Sequence, residues 1–251
     1  MSTITTTRRD ADGNLITFVD NNTQETLVRL QPIQIDEDFL GAGHASIPVF
    51  GSPAAGYPWV QKVVKTGGSP SVAIVANGAG GIVALALDST SEKQETTLYV
   101  NDQLNWDMTK SAVFEARVAF STLPGASVEM VFGLQSAWIN GPDNASYYAR
   151  FQALASGAVN CQTKDGITTT SKASGVTLTA GAFHIFRIDA TTPSNIVFTI
   201  DGVQVNANNA LSFLATGASA VLQVYCSVYK ASGAGTGAMQ VDMIQVAANR
   251  V

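Results

Sequence analysis

The sequence predicts an all-β chain, a two-sheet antiparallel sandwich behind an extended N-terminal arm, and three features carry that expectation. From Phe39 onward the apolar residues recur with period two. Gly, Asn, Asp and Pro clusters cut the apolar runs at short intervals. No segment keeps a helical apolar stripe for three turns, so on the order of a dozen strands and very little helix are expected.

The arm comes first. Residues 1–35 are polar and Thr-rich, with Leu15-Ile16-Thr17-Phe18-Val19, a turn at Asp20-Asn21-Asn22, and Thr26-Leu27-Val28-Arg29-Leu30. This is a hairpin too small to bury a core by itself, so it must pack on the domain or pair with another chain. In the second case Leu15, Phe18, Leu27 and Leu30 are the expected partner contacts. Pro32 and the acidic Asp36-Glu37-Asp38 mark a boundary, dividing the chain into an arm (1–35) and a sandwich domain (36–251).

Within the domain, residues 66–87 carry no charge until Asp88, which resembles a membrane span, but Gly67, Gly68, Pro70, Asn77, Gly78, Gly80 and Gly81 break the run into hairpin-sized pieces. In Phe114-Glu115-Ala116-Arg117-Val118-Ala119-Phe120 one face is apolar and the other carries Glu115 and Arg117. Val128, Met130, Phe132 and Leu134 again fall on one side, and these two runs read as an antiparallel hairpin. Strands at Phe183–Ile188 and Ile196–Ile200 follow, and Asp201-Gly202 suits the positive φ angles of a two-residue turn into Val203-Gln204-Val205. Leu222–Val228 and Met239–Val246 close the series around a glycine-rich loop at 231–237.

Composition bounds function. The 251 residues carry only 13 % charged side chains against 46 % hydrophobic ones, so part of the surface is expected to be covered by other subunits. A net charge of −5 and the absence of a basic run argue against nucleic acid as a partner. No membrane association, cofactor, metal or disulfide is expected. Cys161 and Cys226 lack paired spacing and the first residues lack the apolar core of a secretory signal, which reads as assembly in a reducing cytoplasm, where the sequons at Asn21 and Asn144 are idle.

Three stretches, Phe183-His184-Ile185-Phe186-Arg187-Ile188, Asn195 to Val205 with its Asp201-Gly202 turn, and Val241-Asp242-Met243-Ile244-Gln245-Val246, resemble the concanavalin A-like lectin and glucanase superfamily of jelly-roll sandwiches. The resemblance spans residues 110–250 and implies a jelly roll. Glucanases of that superfamily carry two or three carboxylates on alternate positions of one strand, and retaining hydrolysis needs two carboxyls roughly 5 to 5.5 Å apart. The corresponding stretch here, Asp143 to Gln152, has one carboxylate and no glutamate. Catalytic residues are therefore expected to be absent, and the chain is expected not to be an enzyme.

The wording Asp36-Glu37-Asp38-Phe39-Leu40-Gly41, Gly51 to Trp59, Ala137 to Ala145 and Gly181-Ala182-Phe183-His184 is similar to that of phage head proteins. That resemblance implies a decoration or cement protein on the outside of a virion, with the major capsid protein and its own copies, as a homotrimer, for partners. The alternative reading is a carbohydrate-recognising module of a phage fibre or receptor-binding protein.

Other candidates have plainer readings. His184 shares a strand face with Phe186 and Ile188 and reads as a hydrogen-bonded core or edge histidine, and His44 has no nucleophile partner beside it in sequence. Asp143 and Asn144 offer too few oxygens for calcium and read as a turn. Trp59, Trp106, Trp138, Tyr147 and Tyr148 read as core or subunit packing rather than a sugar platform. Gly78-Ala79-Gly80-Gly81 turns the chain between strands, with no helix behind it to hold phosphate.

Overall fold

Strand propensity and turn residues act along the whole chain, and a computed structural model describes residues 4–9, 15–20, 26–27, 33–39, 58–76, 81–166, 168–207 and 210–249. The first strands are β1 (Ile4–Arg9), β2 (Leu15–Asp20), β3 (Thr26–Leu27) and β4 (Ile33–Glu37). Then come β5 (Val60–Lys65), β6 (Ser71–Ile74), β7 (Val83–Leu87), β8 (Gln94–Tyr99), β9 (Trp106–Asp107), β10 (Ala112–Thr122) and β11 (Val128–Gln135). They are followed by β12 (Tyr147–Ala153), β13 (Ala158–Asp165), β14 (Thr169–Thr177), β15 (Phe183–Ala190), β16 (Val197–Ile200), β17 (Val203–Gln204), β18 (Val221–Lys230) and β19 (Gly237–Ala248). The described strands outnumber the expected dozen, in part because β3, β9 and β17 are two residues each, too short to show a period.

The domain is a sandwich of two eight-stranded sheets. The front sheet runs β14-β13-β12-β11-β18-β8-β5, with β9 also on β18, and the back sheet runs β17-β16-β15-β10-β19-β7-β6, with β4 also on β19. All pairings are antiparallel. Alternation sends Phe132 and Phe151 inward from the front sheet to meet Phe120, Phe186 and Phe198 of the back sheet. Phe186 stands edge-on to Phe132 at 4.8 Å and to Phe151 at 5.1 Å. Each fully buried phenylalanine contributes roughly 1.5 to 3 kcal/mol, with about 0.5 to 1.5 kcal/mol more per well-oriented ring pair. Trp59 and Trp106 belong to this core, as read from sequence.

The expected hairpin of 114–120 with 128–134 is not formed. β10 pairs with β15 and β19 in the back sheet, while β11 pairs with β12 and β18 in the front sheet. Period two reveals which face of a strand is apolar, and two strands facing each other across a core show the same alternation as two strands side by side. The 66–87 hairpin does form, with Ile74 opposite Val83, although residues 77–80 lie outside the described ones. The Asp201-Gly202 turn also forms, with φ of 51° and 78° between Ile200 and Val203. His184 is half-buried near the start of β15, opposite Val118, its Nδ1 2.7 Å from Asp201 Oδ2.

In the arm, Phe18 stands opposite Leu27, as the hairpin reading requires, and β1 adds a third strand beside β2. The boundary at 35/36 falls inside β4: Ile33, Gln34 and Ile35 pair with Ala248, Ala247 and Val246 of β19, so those residues belong to the back sheet. Asn21, Leu30, His44 and residues 51–57 lie outside the described residues.

Candidate functional site

The outward face of the front sheet is built almost wholly of hydrogen-bonding side chains. Cross-strand register aligns Ser171, Gln162, Arg150, Gly133, Tyr225 and Tyr99 in one row. Beside it run Asn160, Gln152, Val131, Ser227, Thr97 and Lys62. A third, shorter row is Glu129, Tyr229 and Glu95. Outward residues of an antiparallel sheet are ordinarily wet. Here Glu95, Thr97, Gln135, Arg150, Gln223, Tyr225 and Ser227 are buried.

Residues 136–146, joining β11 to β12, supply part of the cover. Glu95 Oε1 accepts from Trp138 Nε1 at 3.1 Å, Tyr225 Oη at 3.1 Å and Thr97 Oγ1 at 3.2 Å, and its Oε2 accepts from the Gly141 amide at 3.0 Å. Burial pushes the Glu95 carboxyl above its ordinary range, and these donors oppose the shift. Asp102 Oδ1 accepts from the Trp138 amide at 2.6 Å and from Gln223 Nε2 at 2.8 Å. Lys62 Nζ lies 3.4 Å from the centre of a Trp138 ring.

Arg150 organises the other end of the face. Its Nε donates to Gln162 Oε1 at 2.9 Å, and its Nη1 to Pro142 O at 2.9 Å and Gln135 Oε1 at 3.2 Å. Its Nη2 reaches Glu129 Oε1 at 3.4 Å and also bonds Asp143 Oδ1. Below, Tyr148 lies under the guanidinium, 3.9 Å from ring centre to Cζ. Gln152 Nε2 donates to Glu129 Oε1 at 2.6 Å, and Gln162 Nε2 to Gln152 Oε1 at 2.6 Å.

Glu129 is the carboxyl that this network surrounds. Its side chain is 14 % exposed, and that of Asp143 beside it is 62 % exposed. Burial pushes the Glu129 carboxyl up to about 7; Arg150 pulls against this, and the Asp143 carboxylate with its hydrogen bond adds to it. A carboxyl titrating near neutrality can give or take a proton at working pH.

The sequence places Asp143 in a turn with Asn144; it does form a 3-10 turn, but its carboxylate faces Arg150, while Asn144 Nδ2 donates to Asn140 O at 2.8 Å. Of the five aromatics read as packing, Trp138 and Tyr148 lie on the front face, and Tyr147 packs against the core. Glu129 and Glu95 escape the sequence reading because paired carboxylates are expected on one strand, whereas these stand on two, β11 and β8. Each is a lone charge on the outward side of an otherwise uncharged strand, and that pattern was available in Val128–Gln135 and Gln94–Tyr99.

No family model matches the chain, and no curated protein matches it. Solved structures do match. A protein of unknown function from Shewanella oneidensis gives a TM-score of 0.57 at 12 % identity, covering 91 % of each chain. A β-1,3-glucanase from Mycobacterium marinum gives 0.52 at 14 % identity, covering 84 % of this chain and 97 % of that one. An alginate lyase, A1-II′ of polysaccharide lyase family 7, gives 0.50 at 16 % identity, covering 70 % and 84 %. The expectation that the chain is not an enzyme is corrected by these matches: sandwiches of this fold include a glucanase and a lyase. Glu129 lies on β11, outside the Asp143 to Gln152 stretch on which that expectation rests. What the likeness establishes is the fold, and this chain is a concanavalin A-like jelly-roll sandwich.

Proposed function

We propose that this chain is a polysaccharide-active module, which recognises a glycan along the outer face of the front sheet and exchanges a proton with it through Glu129. The observation that carries the reading is the Glu129 carboxyl held at about 7 beside the exposed Asp143. Glycan hydroxyls need paired donors and acceptors at close spacing, and the amides of Asn160, Gln152 and Gln162 line the sheet beside that carboxyl. The polysaccharide-acting enzymes among the matches share the scaffold and support the same class of ligand.

Glu129 and Asp143 do not flank a bond as the carboxyls of a retaining hydrolase do, roughly 5 to 5.5 Å apart. They share the Arg150 Nη2 and a hydrogen bond. Burial raises the proton affinity of Glu129 and Asp143 adds to it, while Arg150, with its donors already engaged, is a positioning residue. Glu129 is the acid or base.

The test is electrophoretic retardation in gels carrying laminarin, lichenan or alginate, with product assays on the same polymers. Retardation by one polymer, and turnover abolished in Glu129→Gln while retardation persists, is the expected result. Migration unaffected by all three polymers sinks the reading.

A second reading, attachment to the outside of a phage capsid, is favoured by one observation: in the described residues β1, β2 and β3 form a sheet separate from the sandwich ladders. Its partners would be the major capsid protein and further copies of this chain. Co-sedimentation with capsids at fixed stoichiometry, lost on removal of the arm, tests it.

A further inference from the structure

The front face carries a second feature, on the strands next to Glu129. Val60, Tyr99, Val131 and Tyr225 form a buried apolar and aromatic floor on the outward side of the sheet, and Trp138 packs against it. A pyranose ring offers two things to a protein, an apolar C–H face and a rim of hydroxyls. Trp138 offers the same two here, its ring laid on the floor and its Nε1 donating to Glu95 Oε1 at 3.1 Å. We infer that residues 136–146 form a cover, and that Trp138 occupies a glycan subsite between Tyr99, Tyr225 and Glu95 until a ligand displaces it. This rests on the reading of the front face as glycan-binding.

The way the cover is attached supports this role. Its ends are joined by the Ser136 amide donating to Tyr147 O at 2.9 Å, which makes a closed base. Between those ends the bonds to the rest of the domain run through side chains: Asp102 to the Trp138 amide, Glu95 to the Gly141 amide, and Arg150 to Pro142 O. Such a segment opens without breaking a strand ladder, and local openings of this kind lie at the low end of a protein's stability spectrum. Ile139, next to Trp138, is 41 % exposed, so the tip of the cover is not itself packed down. The cover also leaves a donor unused. Gln135 is 1 % exposed, its Oε1 accepts from Arg150 Nη1 at 3.2 Å, and its Nε2 is buried without a hydrogen-bond partner. An unpaired buried donor on this polar face is a group that a ligand hydroxyl would satisfy.

The experiment compares the full chain with Trp138→Ala and Trp138→Phe, the latter keeping a ring but losing the N–H. Hydrogen exchange at the Gly141 amide reads cover opening, and affinity gels carrying laminarin or alginate read binding. Expected are exchange at Gly141 at least about tenfold faster in both variants and retardation increased about tenfold in Trp138→Ala, with a smaller gain in Trp138→Phe. If the native protein is retarded and the variants bind equally or more weakly, Trp138 is not a stand-in for ligand and the inference falls, while the glycan reading stands. Unchanged exchange at Gly141 in Trp138→Phe also overturns it. If neither native protein nor variants are retarded, the glycan reading itself fails. Should Trp138→Ala not fold, Trp138→Phe alone decides by the same two readouts.

Discussion

Glu129 on β11 and Gln152 on β12 share a hydrogen bond of 2.6 Å, Nε2 to Oε1, which fixes a carboxyl that burial pushes up to about 7. The titratable and charged groups around it are Arg150, Asp143, Tyr148 and Tyr229. A carboxyl whose proton affinity is raised by folding binds its proton more tightly folded than unfolded. Its contribution to stability is therefore complete below about 4.5 and is lost as pH rises to about 7. Glu129→Gln keeps the shape and removes the titration. Between pH 5 and 8 the variant should lose less stability than the native protein, by on the order of 1 to 2 kcal/mol in urea unfolding. Parallel curves for the two proteins would show that Glu129 does not titrate in this window.

Lys230 is a buried ammonium satisfied by backbone alone. Its Nζ donates to Asp88 O at 2.5 Å, Thr90 O at 2.8 Å and Gly235 O at 3.0 Å, tying the loop after β7 to the loop before β19. Lys230→Met fills the volume but leaves three carbonyls without this donor, at a cost of about 3 kcal/mol. Chemical denaturation measures it, and a loss below about 1 kcal/mol would mean that water replaces the ammonium.

Gly133 shows how closely the front sheet is fitted beneath Arg150. Its φ is +147°, and a Cβ there would lie 2.6 Å from Ala149 O and 2.8 Å from Arg150 Cα. Gly133→Ala must push β12 away, and Arg150 with it, destabilising the protein by about 3 kcal/mol and shifting the Glu129 titration. An NMR titration of Glu129 unchanged in a folded variant would contradict that coupling.

Much of the fold was legible because alternation reports burial directly. Phe114, Phe120, Phe132 and Phe186 all face the core, as their positions on period-two runs require. Pairing was less legible. Phe120 and Phe132 meet across the sandwich at 6.0 Å rather than along one sheet, and nothing local to either strand distinguishes the two arrangements. The site was the least legible part. Glu129, Arg150 and Asp143 come from β11, β12 and the loop between them, and the raised proton affinity of Glu129 comes from burial under that loop, a tertiary effect.

The two cysteines illustrate the value of register. Cys161 on β13 and Cys226 on β18 are aligned through Phe151 and Phe132, three strand spacings or about 14 Å apart, too far for a disulfide. Burial pushes both thiols up to about 12. A thiol reagent should therefore label neither in the native protein at pH 8 and both in denaturant. Labelling of either within the mixing time under native conditions would show that the front sheet opens readily.

The arm boundary yields the sharpest test of how the chain is divided. Strand β4 occupies the half of β19 that β7 does not reach: β7 pairs with Gly237 to Val241, and β4 with Ile244 to Ala248. Ile35 packs against the core from this strand, and Gln245 Nε2 donates to Asp36 Oδ1 at 3.0 Å. Glu37 completes the attachment, its Oε2 accepting from Trp59 Nε1 at 2.8 Å and its Oε1 from the Phe39 amide at 2.8 Å. Removing residues 1–32 leaves all of this in place, and the truncated chain should keep its cooperative transition with a change in stability below about 1 kcal/mol. Removing residues 1–37 exposes the edge of β19, strips Ile35 from the core and leaves the buried Trp59 Nε1 without its acceptor. That cost is about 3 to 5 kcal/mol. Equal midpoints for the two truncations would place the boundary after β4, where the acidic run stands; a large loss already in the shorter truncation would make the three-stranded sheet part of the folding unit.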